Sequence, residues 1–201
     1  MEASVDPRLV AALREQLRRR PQQARRVGWK VGRGDRERLG GGIVVGHLTA
    51  ETVLEPGHVY ANGTSLHADA EIALEVGAGK VITGYGPALE LVDLADDGDA
   101  EAIVTSNIFH RAVAFGPVQR TLPLQTYAKL VINGVVQATA PVAEDFAATV
   151  QKVAAVLGGV GERLRAGDRL ITGSVVQVRV AAGDQVVADF GELGRVRVAI
   201  A

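Results

Sequence analysis

The segment Asp69-Ala70-Glu71-Ile72-Ala73-Leu74-Glu75-Val76 alternates without a break between acidic or small residues and apolar ones. A period of two marks a β-strand, whose successive side chains project to opposite faces. Asp69, Glu71, Ala73 and Glu75 therefore share one face. Ala70, Ile72, Leu74 and Val76 share the other, which is the side suited to a core. Two carboxylates at i and i+2 repel each other. Unless they lie in water a positive charge belongs between them, and an oxygen-only ligand set suits a hard cation such as Mg²⁺ or Mn²⁺. A solvated face is the common fate of such a pair, so the surrounding sequence has to decide.

Downstream, the glycine-rich stretch Gly77-Ala78-Gly79 through Gly84-Tyr85-Gly86-Pro87 reads as a hairpin leading to Ala88-Leu89-Glu90-Leu91-Val92. Glu90 there points away from Leu89 and Leu91, which supplies a third carboxylate on a second strand. Upstream lie turn signals at Glu55-Pro56-Gly57 and Asn62-Gly63, and short runs at Val27 to Val31 and Ile43 to Val45 on either side of a glycine-rich loop over 32–42. Beyond Glu90 the spacing predicts an exposed acidic linker from Asp93 to Glu101. Strands are expected at 102–106, 112–118 and 126–138, the last with a hairpin at Asn133-Gly134.

Two segments change to helical period. Asp6-Pro7 is a cap followed by proline at the first helical position, and Leu9, Val10, Leu13 and Leu17 form an apolar stripe over 7–20. Phe146, Val150, Val153, Ala154 and Leu157 do the same over 142–157, ending at Gly158-Gly159. Further strands close the chain, turning at Ala182-Gly183-Asp184 and near Leu193-Gly194. The expected fold is α+β and mostly β, a single domain over 1–201, with residues 1–26 an N-terminal helical segment and 27–201 the β-fold.

Composition narrows the function. A formal net charge of -1 gives no global field to select nucleic acid, and the arginines on the first helix read as a solvated face. Cysteine is absent, which excludes disulfide frameworks, thiolate metal sites and cysteine nucleophiles. No apolar run approaches the roughly 20 residues a membrane helix needs, and no secretory pattern opens the chain. The expectation is a soluble cytoplasmic protein with a small-molecule partner. No Gly-x-Ser-x-Gly elbow supports serine hydrolase chemistry.

Five short motifs in order, Gly28-Trp29-Lys30-Val31-Gly32, Asp69-Ala70-Glu71-Ile72-Ala73, Pro87-Ala88-Leu89-Glu90, Gly167-Asp168-x-x-x-Thr172-Gly173-Ser174 and Ala182-Gly183-Asp184, resemble the fumarylacetoacetate hydrolase superfamily. They are most similar to its 2-keto-4-pentenoate hydratase and 4-oxalocrotonate decarboxylase branch. The resemblance implies a rolled mixed β-sheet, a homo-oligomer, and a divalent metal, Mg²⁺ or Mn²⁺, on Asp69, Glu71 and Glu90, with Asp69 standing where glutamate is usual. It implies Lys30 and Glu51 as proton-transfer groups, and Thr172 and Asn107 as residues near the substrate. The activity implied is a hydro-lyase acting on a small 2-hydroxydienoate or 2-oxo acid. A 4-oxalocrotonate-type decarboxylase and an acylpyruvate-type carbon–carbon hydrolase are the alternatives among enzymes, and a catalytically degenerate binding or scaffold homologue is the alternative outside them.

The chain departs from that pattern in places. The connection from Glu71 to Glu90 is short, Ser106 precedes Asn107 where aspartate is usual, and bulky Ile108, Phe109 and His110 replace small residues. None of His47, His58, His67 and His110 makes a ligand spacing with another. His67 shares the face of Asp69, and His110 falls near the pocket by its place after Asn107.

Overall fold

The computed structural model describes residues 6–33, 42–55, 57–61, 63–94 and 98–201. Most of the loop expected over 32–42, parts of the turns at Pro56 and Asn62, and residues 95–97 of the acidic linker lie outside these residues. Thirteen strands are described: β1 (Arg26–Arg33), β2 (Ile43–Thr49), β3 (Val53–Leu54), β4 (Val59–Tyr60), β5 (Leu66–Val76), β6 (Ile82–Asp93), β7 (His110–Phe115), β8 (Tyr127–Ile132), β9 (Val135–Pro141), β10 (Arg169–Ile171), β11 (Val176–Arg179), β12 (Gln185–Asp189) and β13 (Arg195–Ile200). Three α-helices accompany them among the described residues, α1 (Pro7–Arg19), α2 (Ala100–Thr105) and α3 (Phe146–Gly158).

The strands form two sheets. An eight-stranded mixed sheet runs β2-β1-β10-β5-β6-β7-β3 with β11 also pairing β5, and a five-stranded sheet runs β4-β13-β12-β8-β9. The alternation read in the sequence sorts β5 and β6 correctly. Ala68, Ala70, Ile72, Leu74, Leu89 and Leu91 join a continuous core with Leu130, Val186, Ala188, Val196 and Val198 of the smaller sheet and with the apolar faces of the helices. The opposite face of β5 and β6 is not open to water. The larger sheet curls so that β1 reaches over β6, and the inner face of the roll carries its own small apolar floor of Leu48, Ala73, Ala88, Val113 and Ile171.

Three expected boundaries need correction. The exposed linker expected from Asp93 to Glu101 is narrower, since β6 runs to a buried Asp93 and α2 starts at Ala100. The segment expected as a strand at 102–106 belongs to α2, because Asp99 accepts from Ala102 N at 2.8 Å and starts a helix there. Its buried Ile103 and Val104 then join the core that contains Leu9, Ala12 and Leu13 of α1. The second predicted helix begins at Phe146 rather than 142. Pro141 closes β9 and Val142 N still donates to Thr126 O, and Asp145 supplies the cap by accepting from Ala148 N at 2.9 Å. The hairpin at Asn133-Gly134 forms as expected, with φ of 52° and 83° at its two central residues.

The arginines near the N-terminal helix are drawn into ion pairs. Arg18 and Arg19 lie on Glu15, and Arg26 spans Glu162 and Asp168. No helix among the described residues is long and apolar enough to cross a membrane.

Candidate metal centre

Asp69 and Glu90 face each other directly across the β5–β6 ladder, and Glu71 stands two residues along from Asp69 on the same face. All three are buried, Glu71 and Glu90 to 1% exposure and Asp69 to 5%. Each offers an oxygen, and these oxygens lie within 4.8 Å of one another. Asp69 Oδ1 and Glu90 Oε2 have no hydrogen-bond partner. Dry carboxylate oxygens left unpaired are costly. Two of them converging with a third acid fit a hard divalent cation, which takes oxygen ligands and supplies the missing charge.

Lys30 comes from two strands away. It lies on β1, opposite Gly46 of β2 and Ile171 of β10, and is 3% exposed. Its Nζ reaches Glu90 Oε1 at 2.5 Å and donates to Ile108 O at 2.9 Å. The lysine stem needs the bare backbone of Gly46, since a Cβ there would stand 2.8 Å from Lys30 Cγ and 2.6 Å from Asn107 Oδ1. Ile108 belongs to an unusual backbone run, in which Asn107, Ile108 and Phe109 have φ of 64°, 54° and 61°. Such successive left-handed residues are disfavoured for side chains with a Cβ, most of all for a β-branched one.

Glu90 Oε1 is gripped a second time, by His110 Nδ1 at 2.6 Å, and His110 Nε2 meets Thr52 Oγ1 at 2.9 Å. Glu71 is held differently. Its Oε2 accepts from Gly173 N at 2.8 Å, because the chain leaves the β5 ladder between β10 and β11 at this point. Gly173 takes φ of 100° to do so, which accounts for glycine in the Thr172-Gly173-Ser174 motif.

The electrostatics follow from burial. Desolvation, aided by the charge of Glu90, pushes the Asp69 carboxyl up to about 7. Desolvation raises Glu71 well above the usual carboxylate range, with Glu90 and Asp69 adding to it. Burial would raise Glu90 too, but Lys30 and His110 overturn it and hold that carboxyl at about 2. Burial thus works against full ionisation of Asp69 and Glu71, and a divalent cation held by the three acids would supply the opposing charge.

The structure gathers Asp69, Glu71, Glu90 and Lys30. It uses the other sequence-derived candidates otherwise. Thr172 is fully buried and its hydroxyl donates to Ile72 O at 3.2 Å, which spends its one proton on the ladder. The carboxamide of Asn107 accepts from His47 N at 2.8 Å and donates to His47 O at 3.0 Å. Glu51 is exposed on the turn Ala50–Thr52 and accepts from Arg25 N at 3.3 Å. His67 stays at the edge of the acidic face, its Nδ1 3.0 Å from Ser65 O. His110 joins the site on Glu90 Oε1, a contact the order of the motifs does not reveal. Its placement depends on a bulge opposite Leu91 and Val92, where Val92 pairs with His110 and Arg111 is passed over.

No family model matches the sequence, and no curated protein matches it. Solved structures do. A 4-oxalocrotonate decarboxylase from Pseudomonas putida G7, complexed with magnesium and adipate, is similar over 96% of this chain and 86% of that one, with a TM-score of 0.86 at 21% identity. A fumarylpyruvate hydrolase from Pseudomonas aeruginosa in complex with Mn²⁺ and pyruvate is similar over 90% and 93%, with a TM-score of 0.64 at 18% identity. A 5-carboxymethyl-2-hydroxymuconate delta-isomerase from Mycobacterium smegmatis is similar over 90% and 80%, with a TM-score of 0.65 at 17% identity. The likeness spans nearly the whole chain and both sheets, and the chain has the fold of the fumarylacetoacetate hydrolase superfamily.

Proposed function

We propose that this chain is a divalent-metal-dependent lyase of that superfamily, acting on a small 2-oxo acid or its 2-hydroxydienoate enol. The observation that carries the reading is the pair of orphaned oxygens, Asp69 Oδ1 and Glu90 Oε2, facing Glu71 in a dry cluster with Lys30 on the far oxygen of Glu90. Asp69, Glu71 and Glu90 would hold Mg²⁺ or Mn²⁺. When bound, that cation supplies Lewis-acid stabilisation of negative charge developing on the C2 oxygen of a 2-oxo acid. Lys30 provides the proton. An ammonium has three donors; Glu90 Oε1 and Ile108 O engage two of them, which leaves one N–H for the substrate carbon or oxygen where charge collects. Burial of Lys30, Glu71 and Glu90 keeps bulk water away from that charge.

Within this class, hydration of 2-keto-4-pentenoate to 4-hydroxy-2-oxopentanoate is the first reading, with Glu51 managing the proton of the attacking water. In the chain as folded, Glu51 must leave Arg25 N to do so. That observation favours the second reading, decarboxylation of an oxalocrotonate, which asks for Lys30 and the metal triad without a water-activating acid. The assay follows the ultraviolet loss of 2-hydroxypentadienoate in parallel with carbon dioxide release from oxalocrotonate, each with Mg²⁺ and after chelation. Metal-dependent turnover of either substrate is expected. Turnover of neither moves the chain to the binding or scaffold reading. The homo-oligomer belongs to the same proposal and is read by light scattering.

A further inference from the structure

We propose that His110 is a positioning residue that keeps Glu90 a one-oxygen ligand, and thereby tunes the acidic cluster toward Mg²⁺ and Mn²⁺ and against Ca²⁺. The proposal rests on the metal reading given above and goes beyond it. Glu90 Oε1 takes two donors, Lys30 Nζ at 2.5 Å and His110 Nδ1 at 2.6 Å, whereas Oε2 has no partner. A carboxylate can only accept, so the imidazole presents Nδ1–H to it. Turning the carboxylate to offer both oxygens to one ion would break both bonds inside a region where Glu90 is 1% exposed.

The ring is itself clamped. Its Nε2 lies 2.9 Å from Thr52 Oγ1, and with the ring proton on Nδ1 that hydroxyl is the donor to Nε2, turning from Thr49 O, which lies 3.0 Å away. The bulge in β7 decides which side chain meets Glu90. A regular ladder would set Arg111 opposite Val92 and turn its side chain into the roll. The bulge brings His110 to that position and leaves Arg111 exposed. The imidazole is therefore delivered by backbone register.

The consequence lies in coordination number. Mg²⁺ takes six ligands at short range, keeps several waters and is satisfied by carboxylates that each give one oxygen. Ca²⁺ takes six to eight oxygens and favours carboxylates that give two. Fixing Glu90 with Oε1 spent denies the larger ion one protein oxygen and costs the smaller ion nothing.

Titration calorimetry of Mg²⁺ and Ca²⁺ against the full chain tests this. The wild type is expected to favour Mg²⁺, and His110→Ala to shift the ratio of dissociation constants toward Ca²⁺ by about tenfold, the order of one hydrogen bond to a charged group. His110→Asn, whose Nδ2–H stands where Nδ1–H stood, should restore the wild-type ratio. An unchanged ratio in a folded His110→Ala overturns the proposal and leaves the metal reading intact, and so does failure of His110→Asn to rescue. If His110→Ala does not fold, Thr52→Val removes the hydroxyl that meets Nε2 and Thr49 O while leaving Glu90 and His110 in place, and must shift the ratio in the same direction; no shift there also overturns it. A wild type that binds neither ion overturns the metal reading and this inference together.

Discussion

At Glu90 the two faces of the β5–β6 hairpin are equally dry and opposite in energy. Leu89 and Leu91, fully buried, lie on one side and Glu90, at 1% exposure, projects between them to the other. Each leucine contributes roughly 2 kcal/mol through the apolar area it removes from water. On the inner face burial works against the charged side chains, as the raised Asp69 and Glu71 carboxyls record. The contrast teaches that one strand can divide its labour by parity. Residues of one parity hold the fold, which allows those of the other to be kept in a state no isolated strand would tolerate.

The largest effect is expected from breaking the apolar side. Leu91→Ala opens a cavity in the continuous core and should lower stability by about 3–5 kcal/mol, read as a melting temperature roughly 10 °C lower. On the acidic side, Glu71→Ala should leave folding intact and weaken Mg²⁺ or Mn²⁺ binding by at least about 100-fold, the loss of one charged ligand of three. Glu90→Ala should do the same but also strand Lys30 without its partner. Calorimetry that finds unchanged metal affinity in both variants would sink the site assignment.

A smaller effect sharpens the contrast. The Asp69 carboxyl stands at about 7 when folded against an ordinary value of 3.8, so the folded chain binds its proton more tightly than the unfolded chain does. That contribution is fully present below 3.8 and is lost as pH rises through 7. Asp69→Asn should therefore stabilise the metal-free protein on the order of 2 kcal/mol at pH 5.5 and hardly at pH 4, in denaturant titrations at the two pH values. The smallest effect is on the wild type. Because metal must displace the proton of Asp69, held at about 7, Mg²⁺ affinity should rise from pH 6 to 8 by about tenfold on account of that proton. A flat profile would mean that the acids are already ionised.

The sequence carried the parity of β5 and β6 because a period of two is a local signal, and it carried the hairpin at Asn133-Gly134 because the turn type demands those residues. The departures have separate causes. Residues 102–106 include β-branched Ile103, Val104 and Thr105, which favour a strand, and the opposing helix signal is Asp99, three residues before the N–H it caps. Burial of the acidic face was not readable, since it depends on the curl that brings Lys30 over Glu90. His110 falls near the pocket by its place after Asn107, but its contact with Glu90 could not be read, because one bulged residue decides whether it or Arg111 faces inward. Glu51 and Thr172 illustrate the converse. Their order in the chain matched a pattern, and their hydrogen bonds are made elsewhere.

Asn107 joins two distant parts of the roll. Its carboxamide reproduces, in one side chain, the paired N–H and C=O of a neighbouring strand, and offers them to His47 on the outer edge of β2. An edge that would otherwise expose a row of backbone groups is met at this point by a single amide rather than a ladder. The joint is a latch in the mechanical sense, two hydrogen bonds wide, and the left-handed run behind it carries the carbonyl that holds Lys30. Opening of those two hydrogen bonds would free the carbonyl that Lys30 donates to without unzipping a strand.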